Sequence, residues 1–277
     1  MLYIYSANFA QRHYLFGPNA VYVSKGAFNP FGSVSPAMFD FLYVLAMVAA
    51  FAFVMGLGGR LVTLLNFVLF WGWTNAALLI GDGGDNVLRI MLFYLLFADL
   101  HGSLKPNEPS TWRKVLGIAH NLALVAVGIQ LSALYLTAGM QKVHGDMWRD
   151  GTALWYILQV REFSHPVVGQ FLLSMPAFTI VFTHLTVFFQ IAFPWLIVHP
   201  TLRRYAVAIG AAMHLGILAA MNIVSFSLIM IFLDLMMIPD ADYIRLGKRI
   251  EAVAAAFNRL RQGWAVRPSV AEAERSS

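Results

Sequence analysis

The most constraining feature is a run of 33 mostly apolar residues, Tyr205 to Met237. As one α-helix it would reach about 50 Å, well beyond a hydrocarbon core of about 30 Å. It therefore has to break, and Met221-Asn222 is the place where two helices separate most naturally. Five further apolar stretches share the character: Ala37 to Leu57, Leu61 to Gly81, Asn86 to Leu100, Leu116 to Met140 and Pro176 to Val198. Turn signals close them, namely Gly58-Gly59-Arg60, Gly81-Asp82-Gly83-Gly84-Asp85 and His199-Pro200. None alternates with period two, which excludes strands. Only 12% of residues are charged, against about 25% in soluble domains, so too few charges exist to cover a water-facing surface. That excludes a cytosolic enzyme, and the apolar, aromatic-rich composition excludes disorder. With no cysteine, disulfides, thiolate nucleophiles, iron–sulfur clusters and cysteine zinc sites are excluded as well.

The expected fold is all-α: a polytopic integral membrane helical bundle of about seven transmembrane helices plus a cytoplasmic amphipathic helix. Residues 1–36 read as an aromatic and polar interfacial segment, 37–240 as the bundle, and 241–277 as the amphipathic helix with a disordered tail. Tyr243 to Leu260 sets Ile244, Ile250, Val253, Ala254, Phe257 and Leu260 at helical spacing among basic residues, as a helix on an anionic membrane surface does. The net charge of +5 is no sign of nucleic acid. In a multi-pass protein it marks cytoplasmic loops. With seven spans, eleven Lys and Arg fall on the side of Arg60 and the part of the tail close to the last span (Arg245 to Arg261), and five on the side of Lys142. With six, the ratio is six to ten and the orientation inverts. The larger bias places the carboxyl terminus in the cytoplasm.

Ionisable groups at membrane depth are costly, so each is a functional candidate with a plain alternative. Asp40 reaches interfacial water. Arg89 reads as half of an ion pair between helices. Asp99 and His101 form either a capped helix end or a carboxylate–imidazole pair. His184 and His214 lie at a depth where two helices could hold a haem, although hydrogen-bonded packing is the commoner role. No metal is expected, because the chain lacks a His-Glu-x-x-His motif and no two histidines stand three or four apart. Thr179, Thr183, Thr186 and Gln190 share one face and read as hydrogen-bonding glue between helices. No inverted repeat or pair of broken helices suggests a transporter.

The densest constellation runs from Gln130 through Tyr135, Ala138, Gly139 and Lys142 to Trp148, Gly151, Thr152 and Ala153. Tyr135 and Lys142, seven apart, share a helix face, and Gly139 admits a neighbouring backbone. A lysine at a helix end snorkels to the headgroups. Its functional alternative is a desolvated amine in a mostly apolar cavity, able to act as a base.

These residues resemble the signature of the horizontally transferred transmembrane (HTTM) domain family, best known from the vitamin K-dependent gamma-glutamyl carboxylase. Gly56-Leu57-Gly58-Gly59-Arg60, Asp85-Asn86, Asp99-Leu100-His101 and His214…Asn222…Phe226 extend the likeness over roughly Phe39 to Met237. The resemblance implies lyase and oxidoreductase chemistry on a membrane quinol such as reduced vitamin K. Lys142 would be the base, His101 and Tyr135 its catalytic companions, and Asp99, Trp148, His184, His214 and Asn222 would bind the lipophilic substrate. Bacterial members include partners of peptide toxins in the sporulation-delaying system. A non-catalytic helper or receptor for a secreted peptide is thus the alternative, in a lipid bilayer either way. The family also carries a large extramembrane domain in its carboxylase and an extra apolar span at its start. This chain opens where that span ends, so upstream coding DNA is expected to encode about 20 more apolar residues.

Overall fold

The computed structural model describes residues 1–18, 20, 28–32, 34–76, 81–100 and 111–265, with side chains to 258 in the last stretch. The described residues are helical, without a strand, which bears out the all-α bundle. In chain order the α-helices are α1 (Leu2–Ala7), α2 (Arg12–Leu15), α3 (Pro36–Val54), α4 (Gly59–Ala76), α5 (Gly83–Leu95), α6 (Thr111–Val143), α7 (Asp146–Arg149), α8 (Ala153–Ile157), α9 (Val168–Leu173), α10 (Pro176–Val198), α11 (Arg203–Met221), α12 (Val224–Leu235) and α13 (Asp240–Ala265). Among the described residues, α3, α6, α10 and α11 are long and apolar enough to cross a membrane on their own. The protein is a multi-pass membrane protein. Helices also stand at the three other expected crossings, α4, α5 and α12. The described lengths of α5 and α12 are 13 and 12 residues, about 20 and 18 Å.

Local chemistry explains the boundaries. Ser35 caps α3 by accepting from the Met38 N–H at 3.3 Å, with Pro36 in the first turn. The expected turn at Gly81–Asp85 starts α5 with a capping box. Asp82 accepts from the N–H groups of Gly84 and Asp85 at 2.8 and 3.2 Å, and Asp85 accepts from that of Asp82 at 3.0 Å. The long apolar run does break where expected. Asn222 takes the left-handed conformation (φ 55°, ψ 23°) and its N–H closes α11 on the Leu218 carbonyl.

Within Met1–Leu235, packing pairs α5 with α6, α6 with α10, α10 with α11, α11 with α12 and α12 with α5, which closes a ring of five helices. Close approach is built in at Gly84, where an added Cβ would stand 2.8 Å from the Phe226 Cα, and at Gly139, where it would stand 3.1 Å from the Ile191 N. Outside the ring, α4 packs on α5, α3 on α4 and α1 on α3. Tyr5 is buried edge-on against Tyr43 and Trp73, and its carbonyl accepts from the Tyr43 hydroxyl at 2.8 Å. Asp40 holds Arg12 at 2.8 Å and His13 at 2.9 Å, so it fastens the amino-terminal helices to α3. Among the described residues, Arg89 reaches no carboxylate on another helix. It donates to Asn86 one turn away at 3.2 Å, because that partner is already within reach of an i, i+3 side chain. The remaining residues, Met236–Ser277, form a separate unit built on α13.

Candidate functional site

The ring interior holds a polar network in an otherwise apolar wall. From α6, the Tyr135 hydroxyl donates to Asp234 Oδ2 on α12 at 2.9 Å and lies 3.0 Å from His214 Nε2 on α11. A phenol has one proton to give. With that proton on the carboxylate bond, the imidazole carries its own on Nε2 and donates it to the phenol oxygen. All three residues are almost fully buried. Phe193 stacks on Tyr135 at 4.0 Å, Phe189 meets it edge-on at 5.7 Å, and Phe226 covers His214 at 5.4 Å. The closeness depends on Gly210. An added Cβ there would lie 2.5 Å from Asp234 Oδ2 and 3.2 Å from the Tyr135 hydroxyl.

The network has unused capacity. Asp234 Oδ1, His214 Nδ1 and the hydroxyl of Ser227, one heptad before Asp234 on α12, are buried without a hydrogen-bond partner among the described residues. Buried polar atoms of this kind are uncommon and call for an explanation. In hydrocarbon, where water cannot make up the bonds, they make this network the candidate functional centre.

Lys142 lies seven residues further along α6, about 10 Å along the axis. It is half-buried, with its Nζ turned back to the Ala138 carbonyl at 3.5 Å and set 4.9 Å from the centroid of the Trp148 ring. Both contacts suit an ammonium. Between these two levels, Gly139 lets α10 come close, and Gln190 Oε1 is buried without a partner among the described residues. Gly151 (φ 78°) brings the chain after α7 against His184: an added Cβ would stand 2.8 Å from its Cε1.

The candidates from the sequence thus separate into groups. Tyr135 and His214 touch, as do Lys142 and Trp148. His184 is exposed beside Gly151. Asn222 is exposed and ends α11. Asp99 follows α5, and its N–H donates to His120 Nδ1 at 3.0 Å. His101 lies outside the described residues. For the haem alternative, the Nε2 of His214 is already committed to Tyr135. Among the described residues, no group of three His, Cys, Asp or Glu is placed to hold a metal ion. Of the stripe on α10, Thr179, Thr183 and Thr186 donate to carbonyls of their own helix, and Thr183 also accepts from the Leu154 N–H at 3.3 Å. Asp234 and Ser227 are the residues that sequence reasoning missed. The signal was present: Asp234 is the one carboxylate in the 33-residue apolar run.

Over 246 residues the chain is 27% identical to the sporulation-delaying protein SdpB of Bacillus subtilis (strain 168), an alignment covering 83% of this chain and 71% of that protein. It is 25% identical over 175 residues to the uncharacterized protein YitO of the same organism, covering 56% of this chain and about half of YitO, 53%. No protein-family model matches the chain, and neither does any solved structure.

Proposed function

We propose that this chain is an HTTM-like membrane protein that helps to mature or handle a secreted peptide, with Tyr135, His214 and Asp234 as its buried centre. The observation that carries the reading is the similarity to SdpB, a protein named for delaying sporulation, across 83% of the chain. The sporulation-delaying system is also where the HTTM resemblance includes partners of peptide toxins. In this reading the cytoplasmic side carries Arg60 and the tail, and the short helices after α6 face the compartment into which the peptide is released. The test is deletion of the gene in its native host, followed by mass spectrometry of the culture medium. The mature form of one secreted peptide should disappear and return with the wild-type gene. An unchanged set of secreted peptides overturns the reading.

A second reading rests on Lys142 itself. Its amine is turned back along α6 rather than out past the helix end, beside an aromatic ring. A lipophilic quinol lying against Trp148 would present its hydroxyl to that amine, and Lys142, once deprotonated, would take the phenolic proton. The substrate would have to displace the carbonyl and ring contacts that hold the ammonium. Arginine keeps the charge but does not deprotonate. Loss of function in Lys142→Arg with normal insertion supports the base, whereas full function leaves a charged anchor.

A further inference from the structure

Helix α13 belongs to neither reading, and its surface is unusual. Leu246, Ile250, Val253 and Phe257 follow one another in steps of 4, 3 and 4, which sets them in a single row along one face. They are 53%, 59%, 69% and 66% exposed. Four large apolar side chains aligned in the open are not ordinary surface scatter. Ile244, with the apolar residues in the sequence pattern, falls about 150° from the middle of that row at 100° per residue. The face therefore runs through Leu246 instead.

The charges complement one particular partner. From Tyr243 to Arg261 the chain has five Lys and Arg (Arg245, Lys248, Arg249, Arg259 and Arg261) against one carboxylate, Glu251, a surplus of +4. Arg249 flanks the apolar row, and Arg245 and Lys248 lie further round on the polar side. The helix acids, Asp240 and Asp242, stand in its first turn, where they suit the positive end of the helix dipole. Arg245 also meets Asp242 at 3.1 Å in an exposed pair of little energetic weight. A row of apolar side chains backed by arginine and lysine fits the boundary of an anionic bilayer, with the row sunk about 5–10 Å and the cations at the headgroups.

We infer that α13 is an anionic-lipid sensor: the row Leu246, Ile250, Val253 and Phe257 enters the lipid surface, and the basic side chains make that entry depend on negatively charged headgroups. The partner is the bilayer itself, at phosphatidylglycerol-like or similar anionic lipid. The inference is independent of the peptide and quinol readings, since it concerns a unit that takes part in neither.

The chain has no cysteine, so single cysteines can be labelled cleanly in the full-length protein. An environment-sensitive dye at Val253→Cys, and one at Glu251→Cys as the polar-face control, are compared in nanodiscs of phosphatidylcholine with and without phosphatidylglycerol. With the anionic lipid, the dye at 253 should be shielded from aqueous iodide and quenched by lipid-borne nitroxide, while the dye at 251 stays accessible to iodide. Adding Arg249→Gln, at the edge of the row, should lower the docked-to-undocked ratio about fivefold, ~1 kcal/mol for one lost charge. Three outcomes overturn the inference. The dye at 253 is open to iodide in anionic discs, or it is shielded from both quenchers because protein covers the face. In the third, it enters both lipids equally and Arg249→Gln changes nothing.

Discussion

Tyr135 ties three helices through one hydroxyl, and its two bonds, at 2.9 and 3.0 Å, leave nothing in reserve. The residue that permits this geometry is Gly210, and the two effects of replacing it oppose each other. On helix propensity alone, Gly210→Ala should stabilise α11 by about 1 kcal/mol. The new Cβ, however, would fall 2.5 Å from Asp234 Oδ2, far inside contact distance, and overpacking costs about 1–3 kcal/mol. Asp234 is fully buried, so it has little room to retreat. Gly210→Ala should therefore lower thermal stability in detergent, and Tyr135→Phe in the same background should lower it by less than in wild type, because the network is already disturbed. A more stable Gly210→Ala protein would mean that the carboxylate is not held where the hydrogen bonds place it. At this scale the sequence was partly legible. Tyr135 and His214 stood out because polar side chains are rare in apolar runs. Asp234 satisfied the same criterion but lay close to the end of its run, where a carboxylate reads as interfacial. Its partnership with Tyr135, 99 residues away, is a product of the ring and is written in no local pattern.

Helix ends were more legible than helix contacts. The caps at Ser35 and Asp82 follow from residue type and spacing alone. The break at Asn222 followed from length, since no single helix of 33 residues fits the bilayer. What length did not reveal is the role of Asn222 itself. The His…Asn…Phe pattern suggests a ligand-binding asparagine, whereas its left-handed φ of 55° and the N–H bond to Leu218 give it a job in the backbone. These roles separate by substitution. Glycine adopts that conformation freely, and a branched side chain pays about 1–2 kcal/mol there. Asn222→Gly should thus keep the fold and the activity, while Asn222→Val should lose stability. If Asn222→Gly instead folds normally and loses activity, the amide itself is needed and the backbone account of Asn222 is incomplete.

The whole molecule poses a question of parity that turns on its two shortest crossings. α5 and α12 pack against each other, and each is described over fewer residues than a full crossing needs. If both cross, Arg60, Lys105, Arg113, Lys114, Arg203, Arg204 and the five basic residues of the tail nearest the last span (Arg245, Lys248, Arg249, Arg259 and Arg261) share one side, against Arg12, Lys25, Lys142, Arg149 and Arg161: eleven to five. If both turn back within the membrane, the tail still ends opposite Arg12. The residues between α6 and α10, however, move to the tail's side, Arg60 stays there, and Lys105, Arg113, Lys114, Arg203 and Arg204 leave it. The ratio becomes nine to seven, almost no bias at all. Loop charge sets orientation, so the first arrangement is expected, the short helices being accommodated by local thinning of the bilayer. One reporter cannot tell the two apart; a pair can. In the cysteine-free chain, Asp150→Cys should react with a membrane-impermeant maleimide added outside intact cells. A carboxyl-terminal alkaline phosphatase fusion should be inactive in those cells. If the fusion is inactive and Asp150→Cys reacts only after lysis, α5 and α12 are re-entrant. Lys142 would then face the cytoplasm, where it could not meet a peptide already released.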